Sequence, residues 1–281
     1  MEPKLTVIPA AGLGVRMRHA AGGGPKELLP VAGEPAIAYA LQESALAGIF
    51  EAAVILRPGK EQIRQKLLDR RRALPAGTPE GKLRLHFFFQ KTPMGECDAI
   101  ALARECAGSK PAAVFYPDNI PRPPGALRAL CHEFRKHPCD LVALMRVTTE
   151  NDTALGCSGR VKLAKEEELS DRRRSIKNFL PKEPGLFRRS RPEELRVCGI
   201  YIALPHYFDF IELARTRLKP GQELTDGQTR RIMLQAGVPL WGLPLAGEVH
   251  DVGIPEGYER AIRLIKSDGG EDPAATSSPL F

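Results

Sequence analysis

Two cations and two carboxylates stand out by type and position. Arg16 is the last but one residue of the stretch Pro9-Ala10-Ala11-Gly12-Leu13-Gly14-Val15-Arg16-Met17, and Lys26 follows ten residues later in Pro25-Lys26-Glu27-Leu28-Leu29-Pro30. Glycines after a first strand let the backbone approach a polyphosphate with its N–H groups turned inward, and Arg16 adds fixed positive charge. The same glycines also suit a plain strand-to-helix turn, so the stretch alone reads both ways. A lysine fixed between prolines suits a point charge on a phosphate.

Asp118 stands in Tyr116-Pro117-Asp118-Asn119, directly after the apolar run Ala112-Ala113-Val114-Phe115. A carboxylate at a strand end is a common Mg²⁺ ligand, because that ion takes one or two protein oxygens and fills its shell with phosphate and water. The competing reading is an aspartate that caps the following turn. His250-Asp251-Val252-Gly253 supplies a second strand-end aspartate, and the two could share one metal. Gln90 ends Leu85-His86-Phe87-Phe88-Phe89, with Gly95 five residues on. Both functions of a glutamine amide can pair with a pyrimidine edge, whereas an isolated glutamine here is a surface loop residue. Lys182, in Leu180-Pro181-Lys182-Glu183-Pro184, has no signal of its own.

These residues need a frame that brings strand ends together. Short apolar runs predict strands at Leu5–Ile8, Ala52–Leu56, Leu83–Phe89, Ala112–Tyr116, Leu141–Val147, Val197–Ala203 and Leu240–Leu245. Such runs suit strands buried on both faces of a mainly parallel sheet. Helical spacing alternates with them at Pro35–Gly48, Glu61–Leu74, Asp98–Ala107, Gly125–Lys136, Pro205–Thr216, Asp226–Ala236 and Pro255–Lys266. The alternation predicts an α/β fold whose strand ends form one ligand crevice. From Asn151 to about Pro192 the texture turns charged and irregular, with strands expected at Arg160–Ala164 and Ser175–Leu180, and reads as an excursion from the main sheet. Residues 1–266 are expected as one domain and 267–281, rich in Gly, Ser, Pro and acidic groups, as a disordered tail.

With 281 residues, 43% hydrophobic and 27% charged, the chain can bury a large core without staples. The formal net charge of +7 favours anionic partners. Its arginine runs at 70–72, 172–174 and 188–189 read as solvated faces, with no zinc-finger spacing or RNA-binding aromatic motif beside them. Six cysteines, at 97, 106, 131, 139, 157 and 198, form no Cys-x-x-Cys pair and are expected as free thiols. No basic leader with a long apolar stretch and no run of about 18 apolar residues is found, so a cytoplasmic protein without membrane or nucleic-acid partners is the expectation.

In order along the chain, AAGLGVRM, PKELLP, QKTPMG, YPDN, LPKEP, VCGIY and HDVG resemble the sugar-1-phosphate nucleotidylyltransferases, and most of all the bacterial UTP–glucose-1-phosphate uridylyltransferases, whose lysine motif also reads Pro-Lys-Glu. The likeness runs from Thr6 to about Lys266, and Gly221-Gln222-Glu223-Leu224-Thr225-Asp226 adds the family's late helix start. It implies a Rossmann-like three-layer fold with a mixed, mainly parallel sheet and a smaller sugar-binding excursion. It further implies Ala11, Gly12 and Gly14 around the nucleotide, Arg16 and Lys26 on phosphates, and Gln90 and Gly95 on uracil. Asp118 and Asp251 would hold Mg²⁺, while Gly156, Lys182 and Gly199 would line the sugar-phosphate side. A homo-oligomer is expected on the same ground.

The implied reaction joins UTP and a sugar 1-phosphate into a UDP-sugar and pyrophosphate. Two anions must meet, so positioning and charge neutralisation carry the catalysis, with Arg16 on the leaving pyrophosphate and Lys182 on the incoming phosphate. Three positions depart from the family: Val15 replaces a threonine, Pro181 replaces a glutamate that contacts sugar hydroxyls, and Asp98 stands where histidine is common. Thymidylyl transfer from dTTP is the near alternative, since Gln90 reads thymine as well as uracil. A cytidylyltransferase of the isoprenoid-pathway kind has a shorter gap to Pro-Lys, and a catalytically silent nucleotide-sugar-binding homologue would account for Val15 and Pro181. The missing Gly-x-Gly-x-x-Gly fingerprint argues against a dinucleotide-binding dehydrogenase.

Overall fold

Strands form where alternate side chains of one apolar run enter two different cores. The computed structural model describes residues 2–75, 77–156, 159–164, 172–181, 189 and 194–268. In chain order the elements are β1 (Leu5–Pro9), β2 (Pro30–Val31), β3 (Glu34–Pro35), α1 (Ala36–Leu46), β4 (Glu51–Leu56), α2 (Glu61–Ala73), β5 (Arg84–Phe89), α3 (Glu96–Ala101) and α4 (Arg104–Ala107). They continue as β6 (Ala112–Phe115), β7 (Asn119–Arg122), α5 (Ala126–Lys136), β8 (Asp140–Val147), β9 (Val161–Leu163), β10 (Arg174–Phe179) and β11 (Glu194–Ala203). The chain closes through α6 (His206–Arg215), α7 (Asp226–Gln235), β12 (Leu240–Pro244), β13 (Glu248–Asp251) and α8 (Pro255–Asp268).

Among the described residues, nine strands form one sheet in the order β5-β4-β1-β6-β11-β8-β12-β10-β9. β1 lies parallel between β4 and β6, with Pro9 beside Ile55 and Val7 beside Val114. Ile8, Val54 and Phe115 pack on one face against Ile37 and Leu41 of α1, Ile63 of α2 and Phe134 of α5. Val7, Ile55 and Val114 pack on the other against Ile100 of α3, Ile211 of α6 and Met233 of α7. Each strand is thus covered on both sides, which makes three layers and explains the continuous apolar runs.

The sheet is mixed. β11 runs antiparallel to both β6 and β8, and β10 runs antiparallel to β12 and β9. The strands expected within the 151–192 excursion, β9 and β10, continue the main sheet at its far edge instead of leaving it. The single helix expected over Asp98–Ala107 is two, because Leu102 N and Ala103 N bond three residues back, to Ala99 O and Ile100 O, which tightens and ends α3. The closing helix continues to Asp268, past the start expected for the tail, and residues 269–281 lie outside the described residues.

Two short ribbons had no sequence signal. β2 pairs with β3, and β7 pairs antiparallel with β13, setting Asn119 opposite Asp251 and Ile120 opposite His250. A small core of Val31, Tyr39, Ile120, Val252, Ala261 and Ile265 fastens both ribbons to α8. Glu43 of α1 is buried with its carboxylate accepting from Gly125 N and, at 2.9 Å, from Leu127 N. It therefore caps the start of α5 from a neighbouring helix, satisfying backbone donors that the helix cannot. Cys97, Cys106, Cys131, Cys139 and Cys198 are free; Cys157 is outside the described residues. Among the described residues no helix is long and apolar enough to cross a membrane.

Candidate active site

Because β1, β4, β5 and β6 run in one direction, their C-terminal ends meet at one edge of the sheet, where β11 enters from the opposite direction. A cleft of about 620 Å³ opens there, lined among others by Gly12, Arg16, Lys26, Gln90, Asp118 and Asp251. The expected crevice and most of the expected residues coincide.

The carboxylates come together through the β7–β13 ribbon. Asp118 lies just before β7 and Asp251 at the end of β13, and Val252 N donates to Asp118 O at 2.8 Å. Both side chains crowd Gly253: a Cβ there would lie 2.7 Å from Asp118 Oδ2 and 3.0 Å from Asp251 Oδ1. Asp251 accepts from Gly253 N and Gly156 N, each at 3.0 Å, while Asp118 Oδ1 accepts from Asn119 Nδ2 at 2.9 Å. Lys26 Nζ donates to Asp118 Oδ2.

The two aspartates titrate in opposite directions. Burial pushes both up, but Lys26, with help from Asn119 and Arg16, holds Asp118 below its ordinary value. At Asp251 burial and the neighbouring charge of Asp118 prevail over the Gly156 and Gly253 amides, and the carboxyl is raised. Burial works against the Lys26 ammonium, yet Asp118, Glu27 and Asp251 lift it above its usual value. Lys26 thus meets Asp118 directly, whereas the Asp251 carboxyl stays raised although the charge of Arg196 opposes the shift. No third His, Cys, Asp or Glu completes a metal-holding group among the described residues. Two carboxylate oxygens and room for phosphates suit Mg²⁺ and not a structural zinc.

The loop after β1 approaches this pair. Gly14 has φ 65°, a left-handed conformation that glycine adopts without strain, and turns the chain into the single helical turn Val15–Met17. Arg16 is exposed, and a Cβ on Gly156 would lie 3.0 Å from its Nη1 and 3.1 Å from Asp251 Oδ2. Gly156, expected on the sugar side, thus stands between Arg16 and the carboxylates. Ala11 is buried beneath the loop, while Gly12 faces open cleft, with nothing within 4 Å of where its Cβ would be. Val15 is 62% exposed at the cleft mouth.

Lys60, at the entrance to α2, was not legible as a site residue. Its Nζ donates to both carboxylate oxygens of Glu27 and to Ala10 O, each at 2.8 Å. This buried pair ties the Lys26 loop to the end of β1. The only hint in sequence is the glutamate of Pro-Lys-Glu.

At the other end of the cleft, Gln90 is buried where β5 ends, its backbone N–H donating to Leu56 O at 2.8 Å. Its side-chain Nε2 donates to Gly95 O at 3.1 Å and to Asp98 Oδ2 at 2.7 Å. One half of the amide is thus engaged inside the protein, and both halves cannot serve a base as expected. Gly95 has φ 111°, and a Cβ there would lie 2.6 Å from Leu224 O. Leu224 N donates to Met94 O at 2.7 Å and Cys97 N to Leu224 O at 3.0 Å, so the Glu-Leu-Thr-Asp segment clamps the loop beside Gln90. Thr225 and Gln228 then cap α7 reciprocally.

Gly199 lies where β11 meets the end of β6, and a Cβ there would strike the Tyr116 side chain at 2.5 Å. Its N–H donates to Asn119 Oδ1 at 3.2 Å. Pro181 lines the cleft; Lys182 lies outside the described residues. Arg196, 3% exposed, also lines it, and its charge acts on Asp251. An arginine inside the run Glu194-Leu195-Arg196-Val197-Cys198 was its only sequence signal.

The fold and cleft define an α/β protein with a cleft at the ends of its strands, whose lining includes the carboxylates of Asp118 and Asp251 and several cations. Residues 5–267 match the model of the nucleotidyl transferase family, and the chain belongs to that family. It is 29% identical over 268 residues to a UTP–glucose-1-phosphate uridylyltransferase of Bacillus subtilis, covering 90% of this chain and 87% of that one. Its fold is similar to that of a UDP-glucose pyrophosphorylase solved with UDP-glucose (TM-score 0.77, 24% identity, 95% and 99% of the two chains). It is also similar to a UTP-bound UDP-glucose pyrophosphorylase from Acinetobacter baumannii (TM-score 0.73, 21% identity, 95% and 94%).

Proposed function

We propose that this nucleotidyltransferase moves a uridylyl group from UTP to glucose 1-phosphate, or a related sugar 1-phosphate, giving a UDP-sugar and pyrophosphate. The observation that carries the reading is the division of one cleft into two ends. Asp118, Asp251, Lys26 and Arg16 cluster at one, and the buried Gln90 and Gly95 stand at the other. The relative from Bacillus subtilis, named for this reaction, and the related structures solved with UTP or UDP-glucose support it.

In this reading Gln90 and the Gly95 loop hold the uracil, and Gly12 lets the backbone pass close to the triphosphate. Asp118 and Asp251 would hold Mg²⁺, which when bound neutralises phosphate oxygens and orients them. An oxygen of the sugar phosphate attacks the α-phosphorus of UTP in line. As that P–O bond forms, the bond to the bridging oxygen breaks and its electron pair leaves with pyrophosphate. The attacking phosphate is already an anionic nucleophile near neutral pH, so no general base is needed. What the chain supplies is positive charge: in this reading Arg16 acts on the departing pyrophosphate and Lys26 on the triphosphate, and the family resemblance assigns Lys182 to the incoming sugar phosphate.

Thymine offers the same N3–H as uracil, so dTTP belongs in the test. Purified protein is assayed with Mg²⁺ across nucleoside triphosphates and sugar 1-phosphates, scored by pyrophosphate release. UTP with glucose 1-phosphate is expected to be the best pair. A preference for dTTP moves the reading to thymidylyl transfer, and no turnover with any pair overturns it in favour of a silent nucleotide-sugar-binding protein.

A further inference from the structure

We propose that Asp98 and Arg215, neither of them placed against substrate, set the base preference of the cleft by fixing which way the Gln90 amide faces. The inference rests on the pyrimidine end of the cleft described above and says how that end discriminates. Gln90 Nε2 donates to Gly95 O at 3.1 Å and to Asp98 Oδ2 at 2.7 Å. A peptide carbonyl and a carboxylate can only accept, so the two hydrogens of the amide are both spent on them. Turning the amide over would set Oε1 against two oxygens.

Both acceptors are held in place. Gly95 is held by its left-handed φ of 111° and by backbone packed against Leu224. Asp98 has its other oxygen on Arg215 Nη1, and Arg215 is itself steadied at the end of α6 by Glu212, Nε to Oε2 at 3.0 Å. The relay from α6 through the first turn of α3 to the end of β5 leaves Gln90 with an acceptor, Oε1, as its remaining function toward a ligand. Uracil and thymine bring a donor to it, their N3–H. Cytosine brings a lone pair at N3, so oxygen would oppose nitrogen with no hydrogen between them. Binding cytosine would require the amide to turn and give up both hydrogen bonds, one of them to a charged group. Asp98 and Arg215 are positioning residues, and Gln90 is the group that meets the base.

The test is the ratio of kcat/KM for UTP to that for CTP, with glucose 1-phosphate and Mg²⁺, in wild type, Asp98→Ala and Arg215→Gln. Loss of the carboxylate frees the amide to turn, and the ratio is expected to fall about tenfold or more in Asp98→Ala. A smaller fall is expected in Arg215→Gln, which leaves Asp98 in place but loose. A variant that is only destabilised loses activity on both triphosphates alike and keeps the ratio, so the measurement separates positioning from folding. An unchanged ratio in the two variants, or a wild type that uses CTP as well as UTP, overturns the proposal while leaving nucleotidyl transfer standing. If the wild type turns over no pair, the uridylyl reading falls. The lock is then judged by equilibrium binding of UTP and CTP to the same three proteins, where an unaltered preference overturns it.

Discussion

Lys60 Nζ meets both carboxylate oxygens of Glu27 at 2.8 Å, with the two side chains only 5% and 2% exposed. A buried pair of this kind is a positioning device more than a source of stability, because desolvation of both charges offsets most of their attraction. Burial pulls the lysine down from its usual value, with Glu27 opposing. The pair sits one residue from Lys26 and also holds Ala10 O, so it joins the two loops that carry Arg16 and Lys26.

Removing one partner strands the other. Lys60→Met is expected to lower unfolding free energy by about 3–5 kcal/mol, read by chemical denaturation. The double variant Lys60→Met with Glu27→Leu is expected to recover much of that stability without recovering turnover, because nothing then anchors the Lys26 loop. Full activity in a stable double variant would show the pair to be packing alone.

Asp118 and Asp251 crowd one glycine, and burial with the charge of Asp118 raises the Asp251 carboxyl, so ionised Asp251 destabilises the protein in the absence of a metal ion. A carboxyl with a raised value gives its stability below its unfolded value and loses it as pH rises through the folded one. In metal-free buffer near neutrality, Asp251→Asn is therefore expected to melt above wild type, and Asp118→Asn to stay folded. Mg²⁺ is expected to raise Tm in wild type and in neither variant, and turnover in both to fall about a hundredfold or more. A wild-type Tm indifferent to Mg²⁺ would remove these aspartates from the metal.

The sheet was legible because Val7, Ile8, Val54 and Val114 are buried from both sides, which forbids alternation with polar residues. The same burial hid direction: Ile200-Tyr201-Ile202 of β11 is as apolar as β6 and β8, which flank it and run the other way, and nothing in it marks the reversal. The β7–β13 ribbon was invisible because it is four residues a side and contains Pro121, yet it alone sets Asp118 beside Asp251. Strand-end position exposed Asp118, Asp251 and Gln90 as candidates. Lys60 and Arg196 escaped because a buried charge declares itself only through its partner or its surroundings, which are distant in sequence.

Two cleft glycines should respond in opposite ways. Gly95→Ala brings a Cβ to within 2.6 Å of Leu224 O at φ 111°, and is expected to cost roughly 2 kcal/mol or more and to raise KM for the nucleotide. A Cβ at Gly12 meets nothing within 4 Å, so Gly12→Ala should leave stability within about 0.5 kcal/mol while its methyl group intrudes on the bound triphosphate. Equal melting temperatures for the two variants would contradict this contrast.

Asp140 supplies a pH dependence remote from the cleft. Its Oδ2 lies 2.7 Å from His206 Nε2 and its Oδ1 accepts from Leu204 N at 3.0 Å, joining the start of β8 to the start of α6. The hydrogen bond with Asp140, and then its charge, raise His206 above 6.5, with burial acting the other way. A base raised on folding binds its proton more tightly in the native state, so its contribution is complete below the unfolded value and fades as pH climbs through the folded one. His206 is over a third exposed, which screens the pair and keeps the effect modest. Wild type is therefore expected to melt above His206→Gln at about pH 6, with the gap closing by about pH 8.5. A gap of constant size across that range would mean that the imidazole holds Asp140 as a neutral donor throughout.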